Sequence, residues 1–265
     1  MTTPPTAVWS PDTRHLGQRV HVHDALDSTN TLALSFADDP TQHGLAILTR
    51  AQTAGRGQYG RSWHAPPGSS VLMSLLLFPP EPLRRPALLT AWAAVSVCDT
   101  VLKVADLQPT IKWPNDVLIH GKKVCGILIE QRTTRHADFP LATVVGIGLN
   151  VTQSAALFEQ AGLPDAASLA MLADMDFASD DVAKALLRGL DAHYASLLAG
   201  DVQALETQWK RRLDMLGKTV SVESVRQTVR GRLLDVTFAG IDVEIEAGII
   251  VRLAPESVTK LRRCE

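Results

Sequence analysis

The segment Gly55-Arg56-Gly57-Gln58-Tyr59-Gly60 spells G-x-G-x-x-G, a pattern that marks a dinucleotide-binding fold when it follows a strand and opens a helix. Here it runs through Arg61-Ser62-Trp63 into His64-Ala65-Pro66-Pro67-Gly68, and adjacent prolines before a glycine exclude a helix interior. The regular nucleotide fold is thereby removed, and a loop remains. Its glycines let backbone N–H groups approach an anion, Arg56 and Arg61 supply charge for phosphate or carboxylate, and Trp63 offers a flat face for a base. A solvated Gly/Arg surface loop is the plain alternative.

The periodicity of the rest agrees with this exclusion. Alternating or β-rich stretches fall at 44–50, 71–78, 110–113, 117–120, 124–130 and 142–151, with helical patterns at 30–37 and 86–104. The tight spacing of 117–130 predicts a hairpin turning at His120-Gly121. This is an α+β chain with a mixed sheet rather than a βαβ alternation. Two helices follow, one behind Ser179 with Asp180 and Asp181 in its first turn and stopping at Gly200, the other from Asp201 to Gly217. Beyond Gly217 only short strands are read, at 219–223, 229–237, 242–246, 249–253 and 258–261, as in a small barrel or open sheet. The expected division is 1–216 and 217–265.

At 265 residues, 46% of them hydrophobic, the chain can bury a core without disulfides or a structural metal. A net charge of −2 and no polybasic surface argue against binding duplex nucleic acid or anionic lipid. Cys98, Cys125 and Cys264 lie far apart without metal-ligand spacing, which suits a reducing compartment. The N-terminus has no apolar signal region, and the most apolar window, 87–98, stops at Asp99, short of a membrane span. A soluble, cytoplasmic protein is expected.

Four further segments carry candidate chemistry. In Lys112-Trp113-Pro114-Asn115-Asp116 the proline and Asn-Asp pair suit a turn, while a lysine ending a strand beside a carboxylate suits phosphate-bound Mg²⁺ or a positioned nucleophile. Period-two alternation puts Lys123 on the face of Cys125, Ile127 and Ile129, where an ammonium needs an anion; escape into solvent at the strand's start is the alternative. Gly126 lets a ligand approach the backbone. In Val144–Asn150, Gly146, Gly148 and Asn150 share one face, leaving room for a flat ligand. Asp27-Ser28-Thr29-Asn30 is a helix N-cap cluster that can also bind a small polar ligand, and Gln52 reads alone as an ordinary loop residue.

Taken in order, Ser28-Thr29-Asn30, Gln52, GRGQYGRSW at 55–63, KWPND at 112–116, GKKVCGILIE at 121–130 and GIGLN at 146–150 resemble the biotin protein ligases. The resemblance covers about residues 20 to 215, and the tail is similar to that family's small SH3-like barrel. It implies a catalytic domain like that of class II aminoacyl-tRNA synthetases. It also implies a two-step reaction: biotin and MgATP give biotinyl-5′-AMP, and a lysine of a carboxylase's biotin carrier domain then takes the biotinyl group. By motif match, Lys123, Arg56 and Asp116 are catalytic. Ser28, Thr29, Asn30, Gln52, Arg56, Gly57, Gln58, Lys123 and Gly126 hold biotin, and Arg56, Arg61, Trp63, Lys112, Asn115, Asp116, Asn150 and Arg262 hold ATP. Mg²⁺ is carried mainly by the ATP phosphates.

Some members of that family carry a winged helix-turn-helix before the catalytic domain, and the stretch ahead of Ser28 is too short for one; the expectation is a ligase without a DNA-binding role. Oligomeric state stays open, a homodimer included. Many members read Gly-Arg-Gly-Arg where this chain has Gln58, so retention of the reactive adenylate is in question. Three other readings remain: a lipoate or octanoate ligase or transferase of the same superfamily, a non-catalytic biotin-responsive protein, and a peptide-binding SH3-like tail.

Overall fold

Eight strands share one sheet. The computed structural model describes residues 4–264; β1 (Ala7–Trp9), β2 (Val20–Leu26), β3 (Ala46–Gln52), β4 (Ser70–Leu77), β5 (Thr110–Lys112), β6 (Asp116–Ile119), β7 (Lys122–Thr133) and β8 (Leu141–Asn150) lie in the order β1-β2-β3-β4-β8-β7-β6-β5. β2 and β3 run parallel, and the other neighbours are antiparallel. The parallel pair needs a crossover, which α1 (Thr29–Ser35) supplies. The β6–β7 hairpin turns at His120 and Gly121, with φ of 49° and 77°, the double positive φ of a tight type I′ turn.

β4 is buried along its whole length because both of its faces are covered. On one side α2 (Pro86–Ala105), α5 (Ser179–Leu198) and α6 (Val202–Leu213) enclose the main core, which takes Val71, Met73, Leu75 and Leu77 of β4 and Val145, Ile147 and Leu149 of β8. On the other side α1 closes a smaller cluster around Leu32, Ala33, Ile47, Leu76 and Val144. The rest of this second face is open and carries the site. Two short helices, α3 (Ala155–Gln160) and α4 (Leu169–Ala173), follow β8.

Helix α2 continues past Asp99 to Ala105 and is long and apolar enough to cross a membrane. Its apolarity is that of a core helix: Leu89, Trp92, Ala93, Ala94, Val95, Val97 and Cys98 are fully buried, and Trp92 Nε1 donates to Leu190 O at 3.2 Å. Two helix ends differ from the sequence reading. Ser179 is the first residue of α5 rather than its cap, its hydroxyl donating to Gly68 O. α6 stops at Leu213 with Asp214 at φ 48°, before Gly217.

After Gly217, β9 (Thr219–Ser224), β10 (Thr228–Val236), β11 (Ile241–Glu244), β12 (Ile250–Leu253) and β13 (Val258–Arg263) form an antiparallel sheet in the order β12-β11-β10-β9-β13. Its buried face is continuous with the main core. Trp209 of α6 stacks on Phe238 at 5.0 Å and meets Trp113 at 5.6 Å, and Trp113 Nε1 donates to Val258 O at 3.0 Å.

Candidate active site

The open face holds a cleft of about 670 Å³. Its floor is β7 and β8, its sides are the start of α1, the end of β3, the 55–63 loop and the β5–β6 hairpin, and its far wall is the segment after α3. Ser28, Thr29, Asn30, Gln52, Arg56, Gly57, Gln58, Arg61, Trp63, Lys112, Asn115, Asp116, Lys123, Gly126 and Asn150 all line it. Arg262 does not. It sits exposed on β13, paired across the sheet with Ser221, because the sheet's alternation keeps its neighbour Leu261 in the core.

The α1 end is a buried polar cradle. Ser28 stands at the N-cap position, yet its side chain makes no cap bond; Gln52 takes over, its Oε1 accepting from Thr29 N at 2.8 Å and from Thr29 Oγ1 at 3.2 Å. Gln52 is therefore more than a loop residue, and the Ser28 hydroxyl, 3% exposed, is left facing the cleft. Ser74 of β4, fully buried, lies 2.7 Å from Thr29 Oγ1 and 2.5 Å from Asn30 Oδ1. It escaped the sequence reading as one hydroxyl in an apolar strand, although an unexplained polar residue at a core position is a signal in itself.

The glycines of β7 and β8 do leave a vacancy, but the chain's own side chains occupy it. A Cβ on Gly146 would meet Asn30 Oδ1 at 2.2 Å, one on Gly148 the Trp63 indole at 2.6 Å, and one on Gly126 the same indole at 3.0 Å. An apolar floor without side chains draws in the nearest flat group. Trp63 Nε1 is buried without a partner, a donor left over for a ligand.

Lys123 lies on the opposite face from the one its alternation implies. Between Val117 and Leu118 the β6–β7 register shifts, so that Val117 faces Cys125 and Leu118 faces Lys123. This bulge puts both Val124 and Cys125 in the core and turns Lys123 to the glycine face, where its Nζ lies 2.5 Å from Asp116 Oδ1 and 5.8 Å from the Trp63 ring. The backbone is held from the far side too, Lys123 N donating to Asp165 O at 2.7 Å and Ala167 N to Lys123 O at 2.9 Å. The β5–β6 hairpin is anchored by Asn115, whose Nδ2 donates to Ile127 O at 2.7 Å. Asn150 Nδ2 donates to Ala167 O at 3.1 Å, and its Oδ1 accepts from Gln153 at 3.0 Å.

The 55–63 loop closes as a small hairpin, with Trp63 N donating to Gly55 O and Gly57 N to Arg61 O. Arg56 points to Glu130 Oε2 at 2.7 Å and Thr31 Oγ1 at 2.8 Å. Arg61 packs over Tyr59, and the Gln58 carbonyl oxygen of the side chain is buried without a partner. Glu130 and the wall residues Phe158, Leu163 and Pro164 were missed from sequence. Burial pushes the Cys98 thiol up to about 12 and the Cys125 thiol upward as well, which disfavours the thiolate at both. The cleft thus combines two carboxylate-paired cations, a buried amide and hydroxyl cradle and a glycine floor, the parts required to bring two anionic ligands together.

Residues 22–150 match the model of the Biotin/lipoate A/B protein ligase family. The bifunctional ligase/repressor BirA of Bacillus subtilis is 32% identical over 249 residues, 94% of this chain and 74% of that protein. The biotin–[acetyl-CoA-carboxylase] ligase of Mycobacterium tuberculosis is 32% identical over 79% of each chain. The fold matches the biotin protein ligase of Aquifex aeolicus, solved with biotin and ATP, with a TM-score of 0.76 at 24% identity over 92% of this chain and 99% of that one. This chain belongs to the Biotin/lipoate A/B protein ligase family, among its biotin protein ligases.

Proposed function

We propose that this chain activates biotin with MgATP as biotinyl-5′-AMP and transfers the biotinyl group to a lysine of a carboxylase's biotin carrier domain. The observation that carries the reading is convergence: six separated segments that resemble biotin protein ligases meet in one cleft. The biotin relatives and the glycine-arginine loop favour biotin over lipoate.

In the first step a biotin carboxylate oxygen attacks the α-phosphorus and pyrophosphate departs with the electrons of the broken P–O bond. Two anions must approach, so the chief need is cancelled repulsion, which preorganised cations supply. Lys123 lies between the glycine floor and Asp116 and serves both reacting groups, while Arg56 and Arg61 serve from the loop. Ser28, Thr29, Asn30 and Gln52 hold the ring end of biotin. Trp63 stacks on the adenine once a ligand takes its place over Gly148, and Lys112, Asn115 and Asn150 line the nucleotide side. Mg²⁺ bound with the nucleotide would supply charge neutralisation at the phosphates, and Asp116 is the cleft carboxylate that would lie beside it. In the second step the carrier lysine's amine attacks the acyl carbonyl and AMP leaves, with Asp116 placed to take the amine's proton.

The tail is an SH3-like domain beginning at 217 in this reading, supported by its five-stranded antiparallel order. Cytoplasmic location is supported by three unpaired cysteines, and the near-neutral charge supports a ligase without a role on DNA. The test is biotin-dependent ATP–pyrophosphate exchange, followed by labelling of a carrier domain with radioactive biotin. Exchange driven by lipoate in preference to biotin, or none with either, would overturn the assignment.

A further inference from the structure

Both central cations are already engaged in the cleft as it stands. Lys123 is paired with Asp116 inside it, whereas Arg56 is paired with Glu130, which lines a separate hollow behind the 55–63 loop; Arg56 lines both. Glu130 follows Gly126 and Leu128 in period two along β7 and so faces the site side of the sheet. Its Oε2 accepts from Arg56 Nη2 and from Asn30 Nδ2, each at 2.7 Å, and Asn30 is held in turn by Ser74 at 2.5 Å. One carboxylate oxygen thus ties the loop's arginine to the amide that fills the floor over Gly146.

A carboxylate beside a site for two anions opposes their entry unless a cation neutralises it, and here Arg56 does so. Glu130 and Thr31 each take one N–H of the guanidinium's two terminal nitrogens, so a ligand carboxylate or phosphate that grips Arg56 shares its charge with Glu130 and competes with it for the fork. We propose that Glu130 is a positioning residue. It docks Arg56 and orients Asn30 in the unliganded cleft, then competes with the ligand's anion for Arg56, and so sets how fast the activated adenylate leaves. The proposal rests on the ligase reading above.

The test uses the full chain and measures dissociation of biotinyl-5′-AMP without carrier protein. Glu130→Gln keeps an acceptor for Arg56 and Asn30 but removes the competing charge, so release slows roughly two- to fivefold, the size of a half-exposed ion pair, and the gap narrows at high salt. Glu130→Asp shortens the reach and slows release in the same direction. A merely structural role for Glu130 would quicken release on mutation, not slow it. Unchanged or faster release in both variants, with wild-type protein forming adenylate normally, overturns the proposal. Failure of the wild-type protein to form adenylate overturns the ligase reading instead.

Discussion

In the proposed reaction Lys123 is the residue on which the chemistry turns, because the bulge of β7 places its ammonium on the glycine face of the cleft with Asp116 as counter-ion. Loss of such a preorganised charge costs about 3–4 kcal/mol in the transition state, roughly 10²–10³ in rate. Lys123→Gln is expected to abolish pyrophosphate exchange to that extent while leaving the unfolding midpoint nearly unmoved; exchange at near wild-type speed would remove Lys123 from its role. Gly146 gives a contrasting case. An added methyl there meets Asn30 Oδ1 at 2.2 Å, and Asn30 cannot retreat without breaking its bonds to Ser74 and Glu130. Gly146→Ala is expected to weaken biotin binding and cost about 1–3 kcal/mol of stability, read by calorimetric titration and denaturant unfolding. Gln58 adds no charge to the loop, so Gln58→Arg is expected to retain the adenylate longer than the wild-type chain, charge-assisted bonds being about twice as strong as neutral ones. Equal off-rates would show that Arg61 already fills the role.

Among elements, the 55–63 loop is held by a few backbone bonds and by Arg56, and it closes on the site with glycines at three positions. Elements with few buried contacts open most easily, so biotin with ATP is expected to protect it from trypsin at Arg56 and Arg61; identical cleavage with and without ligands would contradict this. The strands of the tail were legible because Gly, Pro and polar turns separate runs of Val, Ile and Leu, and the hairpin at His120-Gly121 was legible from its spacing. The bulge at Val124, between Lys123 and Cys125, was not, since an extra residue in one strand leaves no mark in the alternation that precedes or follows it. Nor did alternation reveal that Trp63 and Asn30 would fill the glycine vacancy, because both come from segments distant in sequence. Arg262 rests on motif match alone, and the structure puts it exposed on β13, outside the residues that line the cleft.

At the scale of the whole molecule, the tail sheet and the catalytic sheet share one buried core, joined through Trp113, Trp209 and Phe238. Phe238→Ala is expected to cost about 3–5 kcal/mol in a single cooperative transition; two separate transitions would mean that the units fold independently. A second whole-molecule property follows from His23 of β2, which is 2% exposed with neither ring nitrogen hydrogen-bonded. Desolvation by burial holds its pKa below the ordinary 6.5, against a smaller opposing pull from Asp24. His21, beside it on the same strand, is lowered as well, by burial first and then by Arg19 and His23. As the pH falls past 6.5 the unfolded chain binds these protons before the folded one does, so folded stability, complete above that pH, declines until the lowered folded pKa values are passed. The expected outcome is an unfolding temperature that drops between pH 7.5 and 5. The drop is shallower in His23→Leu, which keeps the volume of the site and removes the titrating group. Parallel pH profiles for the two proteins would show that His23 finds a proton-accepting partner in the folded chain and that burial does not govern its charge.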